Sequence, residues 1–431
     1  MEQTDNNKVL FSEGYKKYVL LALTGVYVFN FIDRQILVIL QESIKTELDL
    51  SDTQLGLLTG LAFALFYVTL GLPIARWADS SSRKNIITAA LVIWSFMTAV
   101  SGLAANFFQL LLARIGVGIG EAGASPPAHS MISDYFPPEK RATALSVYSI
   151  GIYVGILFGY LFGGWLDEFF GWRVALMVMG VPGILYAIIF FFTVKEPPRG
   201  YAEKKHSSPS KLPALSKVFN LLITRKSFRY IAFGAGFNAF VLYGVGNWTP
   251  SFLARTHEMQ SGEIGTWLAF CVGLGGALGV WLGGYYGDKF GRIDPKWYLL
   301  LPAITIAISI PITATLVLTE SKYLCLASVA LSKILWSTYL APSIAMAHGL
   351  VGLRMRALAS AVLFLFLNLI GLGLGPLFFG ALSDFLISGF GDESLSRSLL
   401  VSGFVSAIAA ALYWRASKLI KHDLALSSKQ Q

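Results

Sequence analysis

The sequence predicts an all-α membrane protein with twelve transmembrane helices in two pseudo-symmetric six-helix bundles. Three observations predict this fold. Of the 431 residues, 55% are hydrophobic and only 14% are charged, which exceeds the apolar content of a water-soluble domain. The apolar residues form runs of roughly 20 residues, the helical length that crosses a hydrocarbon core of about 30 Å. The two halves of the chain also share motifs at matched positions.

The apolar runs locate the spans and their orientation. We predict spans near 18–40, 54–75, 86–104, 107–131, 142–166, 173–194, 230–254, 263–286, 297–318, 323–350, 358–382 and 397–419. Twelve crossings put both termini on one side, which holds 26 of the 34 Lys and Arg residues, against 5 on the other side and 3 within spans. We therefore expect cytoplasmic termini. The short loops favour a bacterial inner membrane, and the polar first residues argue against a cleavable signal peptide.

A long polar stretch divides the chain. We predict an N-terminal six-helix bundle over residues 1–194, a cytoplasmic linker over 195–229, and a C-terminal bundle with its tail over 230–431. Within the linker, helical spacing permits a short interfacial helix with an apolar face, formed by Leu212, Leu215, Val218, Phe219 and Leu222, with Lys211 and Lys217 toward lipid headgroups. A disordered connector is the alternative.

Motifs in the two halves match at near-constant offsets. Residues 159–166 align with 375–382, and Arg141-Ala142 aligns with Arg356-Ala357. After the second and eighth spans, the matched charges are Asp79 with Asp288 and Arg83 with Arg292. Such offsets indicate parallel structural repeats, which are typical of transporters whose bundles rock around a central site.

Two sets of motifs carry a family resemblance. A loop signature, Gly-x-x-x-Asp-Arg/Lys-x-Gly-Arg, is nearly intact over 284–292 and degraded over 75–84. With the repeats, it resembles the major facilitator superfamily over the whole chain. The stretches 30–34, 114–122 and 195–200 are similar to spinster-like transporters. This resemblance implies the major facilitator fold, alternating access, and a cargo of lysolipid or sphingolipid type.

Four ionisable residues lie inside predicted spans: Asp33, Arg34, Arg114 and Glu121. Charge within a bilayer is costly and therefore points to function. Seven residues separate Arg114 from Glu121, which places them on one helix face about 10 Å apart. Their depths permit Asp33 to pair with Arg114, with Glu121 as a second partner. We expect Glu121 and Asp33 to be the proton-linked or substrate-linked switches, with Arg114 as the cation for which they compete. The alternative is a static buried ion network that only fixes helix packing. Arg34 either binds an anionic headgroup or pairs with a neighbouring helix.

Charges at the cytoplasmic helix ends form a candidate gate. Clustered charges can latch one bundle to the other in the outward-open state through charge-assisted bonds. The candidate gate comprises Asp79, Arg83, Lys84, Arg141, Asp288, Arg292 and Arg356, with Lys140 and Arg354 beside it. The alternative is that these bases only orient the protein in the membrane, which leaves the two matched acids unexplained.

Aromatic and amide residues of the first, seventh and tenth spans, together with one lysine, are candidates for a substrate cavity: Tyr27, Asn30, Phe31, Tyr243, Asn247, Trp248, Lys333 and Trp336. Such a lining suits a small amphipathic cargo, whereas the stem of Lys333 also permits snorkelling. We expect a monomer in the lipid bilayer, with a proton as the coupling ion, no metal or organic cofactor and no nucleic-acid partner.

Two other functions remain as alternatives. One is a transporter of small organic anions or drugs. The other is a membrane-embedded lipid enzyme, which needs a nucleophile with its base or a metal cluster. His129 and His348 lack ligand spacing to another His or Cys, so we do not expect an enzyme.

Overall fold

The computed structural model describes residues 10–202, 215–352 and 355–428. These residues form helices joined by short loops, and no strand occurs among them. Nine helical segments are long and apolar enough to cross a membrane. Two of them hold two helices each: Pro138–Thr193 breaks at Gly171, where φ is 80°, and Leu358–Ser427 breaks near Gly391, where φ is 54°. With Lys226–His257, the described residues form twelve long helices, consistent with the predicted number, and the all-α fold is confirmed.

We number these helices in chain order. The first half contains α1 (Glu13–Ile39), α2 (Asp52–Ser80), α3 (Arg83–Ser101), α4 (Phe107–Tyr135), α5 (138–170) and α6 (172–193). The second half contains α7 (Lys226–His257), α8 (Ser261–Gly291), α9 (Trp297–Leu318), α10 (Lys322–Gly349), α11 (356–390) and α12 (394–428). Two short helices, Gln41–Leu48 and Leu215–Thr224, lie after α1 and before α7.

Local sequence explains several helix boundaries. A Ser or Asn side chain accepts a bond from the first turn of α1, α4 and α10, satisfying one of the free amides there. Ser51 and Gln54 form a reciprocal capping box at the start of α2. Stretches of π-helix interrupt α2, α8 and α11 at Leu57–Leu61, Ala269–Leu274 and Leu367–Leu374. π-Helix is uncommon and frequently occurs at functional sites.

The two halves pack on each other at one end only. We call the end that carries Glu13 and Ser428 the terminal face, and the opposite end, which carries the helix Gln41–Leu48, the distal face. One hydrophobic cluster in the distal half draws on both halves and includes Ile36, Leu58 and Phe379. In the terminal half, the first bundle packs mainly on itself, as does the second. The structure is therefore closed at the distal face.

The linker is attached to both bundles. At its start, the Tyr135 hydroxyl of α4 donates to the Lys195 carbonyl at 2.7 Å. The helix Leu215–Thr224 packs on the second bundle, where Val218 and Leu222 are fully buried. Two residues of the predicted apolar face, Val218 and Leu222, therefore lie on protein, and the lipid-interface position of this helix stays a prediction. Leu212, Lys211 and the side chains of Leu215 and Lys217 lie outside the described residues.

Candidate functional site

A buried ion pair joins α1 and α4 in the first bundle. Arg34 Nε donates to Glu121 Oε2 at 2.6 Å, and the side chains are 13% and 0% exposed. The guanidinium also lies over the rings of Phe31, Phe63 and Tyr67, with its carbon 4.9, 4.8 and 4.8 Å from their centroids. Arginine is suited to this environment because its flat, weakly hydrated cation stacks on aromatic faces while it pairs with a carboxylate. Two roles were predicted for Arg34, binding an anionic headgroup or pairing with a neighbouring helix. In this structure Arg34 pairs with Glu121 of the neighbouring helix α4.

Asp33 and Arg114 are buried beside this pair, but their side chains do not form the predicted salt bridge. Arg114 Nη1 lies 3.5 Å from the main-chain oxygen of Asp33. The Asp33 carboxyl faces the Trp94 indole and the Thr98 hydroxyl of α3, and neither carboxyl oxygen has a hydrogen bond among the described residues. The difference arises because successive helical residues point about 100° apart. With Arg34 turned to Glu121, Asp33 is turned toward α3.

The three predicted cavity residues of α1 surround these charges. Asn30 lies beside Glu121, and its amide atoms are buried without a hydrogen-bond partner among the described residues. Tyr27 stacks on Tyr148 of α5 with ring centroids 4.3 Å apart. Phe31 makes an edge contact with Tyr27 at 5.2 Å. One face of α1 thus carries aromatic rings, an amide and the ion pair.

In the second bundle, only some of the predicted cavity residues face the first bundle. Tyr243 of α7 is partly exposed and lies near enough to Arg34 for electrostatic interaction, and Lys333 of α10 is also partly exposed. Asn247 is 7% exposed. Trp248 and Trp336 are core residues instead, since they are 0% and 3% exposed. Their indole N–H groups donate within the second bundle, to the Pro376 carbonyl at 2.8 Å and to the Ser309 hydroxyl at 3.0 Å.

Apart from Tyr339, which lies among the aromatic residues of the tenth span, the sequence patterns did not single out a group of tyrosines near Tyr27 and Tyr243. It consists of Tyr67 from α2, Tyr148 and Tyr153 from α5, and Tyr339 from α10. Each of these phenols lies near Tyr27 or Tyr243, which in turn lie near Arg34. Tyrosine is common in helices, and no spacing distinguished these four from lipid-facing rings.

At the terminal face, Arg83 is held within the first half of the chain. Its guanidinium donates to Asp134, to Glu196 at 2.7 Å and to the Pro197 carbonyl at 2.9 Å. The main-chain N–H of Lys84 donates to the same Glu196 carboxylate at 2.8 Å. These bonds attach the start of the linker to the loop between α2 and α3.

The other candidate gate residues also remain within their own halves or are exposed. Lys84 lies over the Phe191 ring at 4.5 Å, and Arg141 donates to the Ser133 carbonyl at 2.8 Å. Asp288 accepts from the Tyr298 hydroxyl at 2.9 Å and is exposed, as are Asp79, Arg292 and Arg356. Among the described residues, no hydrogen bond joins the bundles at this face. The gate was predicted for the outward-open state and stays a prediction.

Polar bonds join the bundles at the distal face instead. Arg255 of α7 binds Glu42 at 2.7 Å and Asp52 at 2.8 Å. Asp384 of α11 accepts from the main-chain N–H groups of Asp52 and Thr53 at 3.0 and 2.7 Å. It thereby caps the N-terminus of α2 from the other bundle, where a negative charge is favourable. We call Glu42, Asp52, Arg255 and Asp384 the distal lock.

A second distal contact lies where α5 meets α8. Asp167 accepts from the hydroxyls of Ser43 and Ser261 at 2.7 and 2.6 Å, and Glu168 accepts from the Gly262 N–H at 2.8 Å. Gly164 lies against the Ser261 carbonyl and so permits close approach of the two helices. Small residues serve this purpose in membrane helix packing.

The distribution of charged residues in the distal loops does indicate that salt bridges such as those of the distal lock form there. The distal loops hold few bases, and each has an acidic partner: Lys45 with Asp52, Arg173 with Glu47, Arg255 with Glu42 and Asp52, Lys322 with Glu263, and Arg397 with Glu393. The Arg173 guanidinium, and then the Trp172 N–H, lower the pKa of the Glu47 carboxyl. A few basic residues among acidic residues of the distal loops therefore indicate that salt bridges form there, but the sequence does not show which acid pairs with which base.

Comparison with known proteins places the chain among membrane transporters. The family model of the Major Facilitator Superfamily matches residues 23–376. An MFS-type efflux pump of Mycolicibacterium smegmatis is 33% identical over 406 residues, covering 94% of this chain and 93% of the relative. A cis,cis-muconate transport protein of Acinetobacter baylyi is 31% identical over 280 residues, covering 63% and 65%.

A solved structure matches over nearly the whole chain. It is the crystal structure of a bacterial homolog to the human lysosomal transporter Spinster, in an inward-facing and unoccupied conformation. The two chains are 36% identical, the TM-score is 0.88, and the match covers 96% of this chain and 99% of the other. The spinster resemblance predicted from three short motifs is thereby confirmed.

Proposed function

The chain belongs to the Major Facilitator Superfamily and is a multi-pass membrane transporter, and on that premise we propose that it moves an amphipathic, lipid-like molecule by alternating access, coupled to protons. The single observation that carries the proposal is the buried Arg34–Glu121 pair. A buried ion pair adds little stability compared with apolar packing of the same volume. The pair lies in the first bundle with Tyr243 of the second bundle near Arg34, and this position favours a role in transport.

The asymmetric packing supports alternating access. The bundles join at the distal face and are not hydrogen-bonded to each other at the terminal face in the part of the chain described. If the basic terminal face is cytoplasmic, this conformation is inward-facing. We propose that the distal lock opens and the terminal gate closes in the outward-facing state. We also propose a bacterial inner membrane as the location.

Glu121 is the proposed proton carrier. Its carboxylate pairs with Arg34, and Arg114, Asp33 and Asn30 are its other charged or polar neighbours. Protonation removes the charge of Glu121 and releases Arg34 from the pair. Because Arg34 also contacts Tyr67, which lies near Tyr243 of the second bundle, proton binding changes the surroundings of a side chain at the boundary between the bundles. Asp33 is the second candidate, since its carboxyl has no hydrogen bond among the described residues.

The cargo class rests on the lining and on the spinster-like relatives. Aromatic rings with a few polar groups suit a molecule that has an apolar chain and a polar head. A second candidate cargo is a small organic anion or a drug. The names of two relatives, an efflux pump and a cis,cis-muconate transport protein, favour this second candidate.

Uptake into proteoliposomes tests the proposal. With an imposed pH gradient, wild-type protein is expected to move labelled oleoyl-lysophosphatidylglycerol, and Glu121→Gln is expected to abolish the gradient-driven component. Glu320→Gln, the same change at an exposed distal position, is the control and should transport normally. Gradient-driven uptake that persists in Glu121→Gln would show that Glu121 is not the proton carrier. Competition by cis,cis-muconate, without competition by lysolipids, would support the second cargo class.

A further inference from the structure

Lys333 is a cation within the second bundle that the proton-coupling proposal does not use. It lies 11 residues into α10, about 16 Å along the helix axis, or near the middle of a hydrocarbon core of about 30 Å. Its side chain is partly buried. An amine at this depth is costly and is expected to have a partner or a function.

The three bases inside the helices differ in what they contact. Arg34 is paired with Glu121 at 2.6 Å. Arg114 contacts the Asp33 carbonyl at 3.5 Å and the Phe63 ring at 5.7 Å. Across residues 10–202, 215–352 and 355–428, Lys333 has no carboxylate within 4.0 Å, and no charged side chain acts on it electrostatically. In the described chain it is thus a cation without a counter-ion.

The neighbourhood of Lys333 provides hydrogen-bond donors and space. A Cβ at Gly276 of α8 would lie 3.3 Å from Lys333 Cε and 3.0 Å from the Tyr153 ring. Glycine at this position therefore leaves room for both side chains. Tyr153 comes from the first bundle, so the lysine lies at the boundary between bundles. Tyr243 and Tyr339 lie near enough to Tyr153 for electrostatic interaction.

These three phenols have unused hydrogen-bonding capacity. Among the described residues, the hydroxyls of Tyr153, Tyr243 and Tyr339 have no hydrogen-bond partner. None of these three hydroxyls is fully buried. Part of each hydroxyl is therefore exposed to solvent. A phenol O–H donates one hydrogen bond and an ammonium donates three. The side chains of Tyr153 and Lys333 both lie against Gly276, so these two side chains together form a set of donors that is complementary to an anion.

We propose that Lys333 binds the anionic group of the transported molecule, a phosphate or a carboxylate, with Tyr153 as a hydrogen-bond donor. The proposal rests on the transport function proposed above. It assigns the cargo anion to the second bundle, while the proton site lies in the first. Because Tyr153 belongs to the first bundle, the bound anion contacts both bundles and favours their approach.

Binding to purified protein in nanodiscs tests this assignment. Isothermal titration calorimetry compares oleoyl-lysophosphatidylglycerol, which carries one phosphate, with monooleoylglycerol, which lacks it. Lys333→Gln is expected to weaken binding of the phosphate lipid about tenfold, the effect of losing one charge-assisted contact of about 1.4 kcal/mol. Binding of monooleoylglycerol should stay unchanged, and Lys333→Arg should retain most of the phosphate preference.

The control is Lys322→Gln, the same change at the distal end of α10, where the lysine pairs with Glu263. It should bind both lipids like the wild type. Equal binding of the phosphate lipid by wild type and Lys333→Gln, or equal weakening of both lipids, overturns the assignment and leaves the cargo class intact.

Binding of decanoate, a simple carboxylate, is measured in the same experiment. It distinguishes failure of the proposed lipid cargo from failure of the proposed anion site at Lys333. If the wild type binds decanoate through Lys333 but does not bind the lysolipid, the lipid cargo is wrong and the anion site stands. If the wild type binds neither anion, the anion site is wrong as well.

Discussion

At the scale of single residues, two neighbours on α1 have separate roles. Arg34 pairs with Glu121 and lies on three aromatic rings, whereas Asp33 is turned toward α3 with its carboxyl oxygens unpaired among the described residues. The sequence identified the four intramembrane charges correctly as a cluster. It could not identify the pairing, because a rotation of α1 by a fraction of a turn exchanges which residue faces α4.

The Arg34–Glu121 pair makes a direct prediction for stability. Arg34→Ala leaves Glu121 buried without its partner, which should destabilise the protein by about 3–5 kcal/mol. The double variant Arg34→Ala/Glu121→Gln removes the uncompensated charge and should recover part of the loss. Thermal unfolding in detergent measures both.

A surface pair provides the matched control for this experiment. Arg397→Ala removes an exposed pair with Glu393 and should cost less than about 1 kcal/mol. A double variant that is no more stable than Arg34→Ala would contradict the account of the pair.

At the scale of helices, glycines determine how closely the bundles approach at the distal face. A Cβ at Gly265 of α8 would overlap the Tyr160 carbonyl of α5, and a Cβ at Gly60 of α2 would lie 2.7 Å from the Gly373 carbonyl of α11. Each of these contacts joins one bundle to the other. Because the opposing atoms belong to helix backbone, the neighbour cannot rotate away as a flexible side chain would.

Gly265→Ala should therefore open the distal face. The reporter is Ser251→Cys, at a fully buried position that contacts Gln41 across the bundles, in a background without Cys271 and Cys325. Labelling by a water-soluble maleimide should become severalfold faster in Gly265→Ala. Gly246→Ala on α7, where a Cβ meets nothing within 4 Å, should label at the original rate. Equal rates in all three proteins would show that this contact does not control closure.

Sequence reasoning was most successful at the scale of helices. Runs of apolar residues predicted where the long helices lie, because crossing a bilayer demands length and hydrophobicity. The distal lock was not predicted, since Arg255, Asp52 and Asp384 are distant in sequence and meet only when the bundles close. For the same reason, the sequence did not predict that Trp248 and Trp336 are core residues. Their hydrogen-bond partners, Pro376 and Ser309, are distant in sequence.

At the scale of the whole molecule, the packing defines one end state of a two-state cycle. A core cluster shared by both halves and the distal lock hold one end together, whereas the terminal halves pack mainly on themselves. The predicted gate of Asp79, Arg83, Asp288 and Arg292 belongs to the other state. Arg83 is bound here to Glu196 of the linker, so closing the terminal face through Arg83 would require that bond to rearrange.

Distances between spin labels across the two faces test the central claim, that one face opens as the other closes. In nanodiscs, one label pair at exposed Ala105 and Gln260 reports on the distal face, and a second pair at exposed Ser80 and Ile293 reports on the terminal face. Arg255→Ala removes the lock and should populate a form with a longer distal distance and a shorter terminal distance. Asp79→Asn should weaken the terminal gate and shift the populations the opposite way. If both distances lengthen together, or if neither variant changes the populations, alternating access through these two sets of contacts is contradicted.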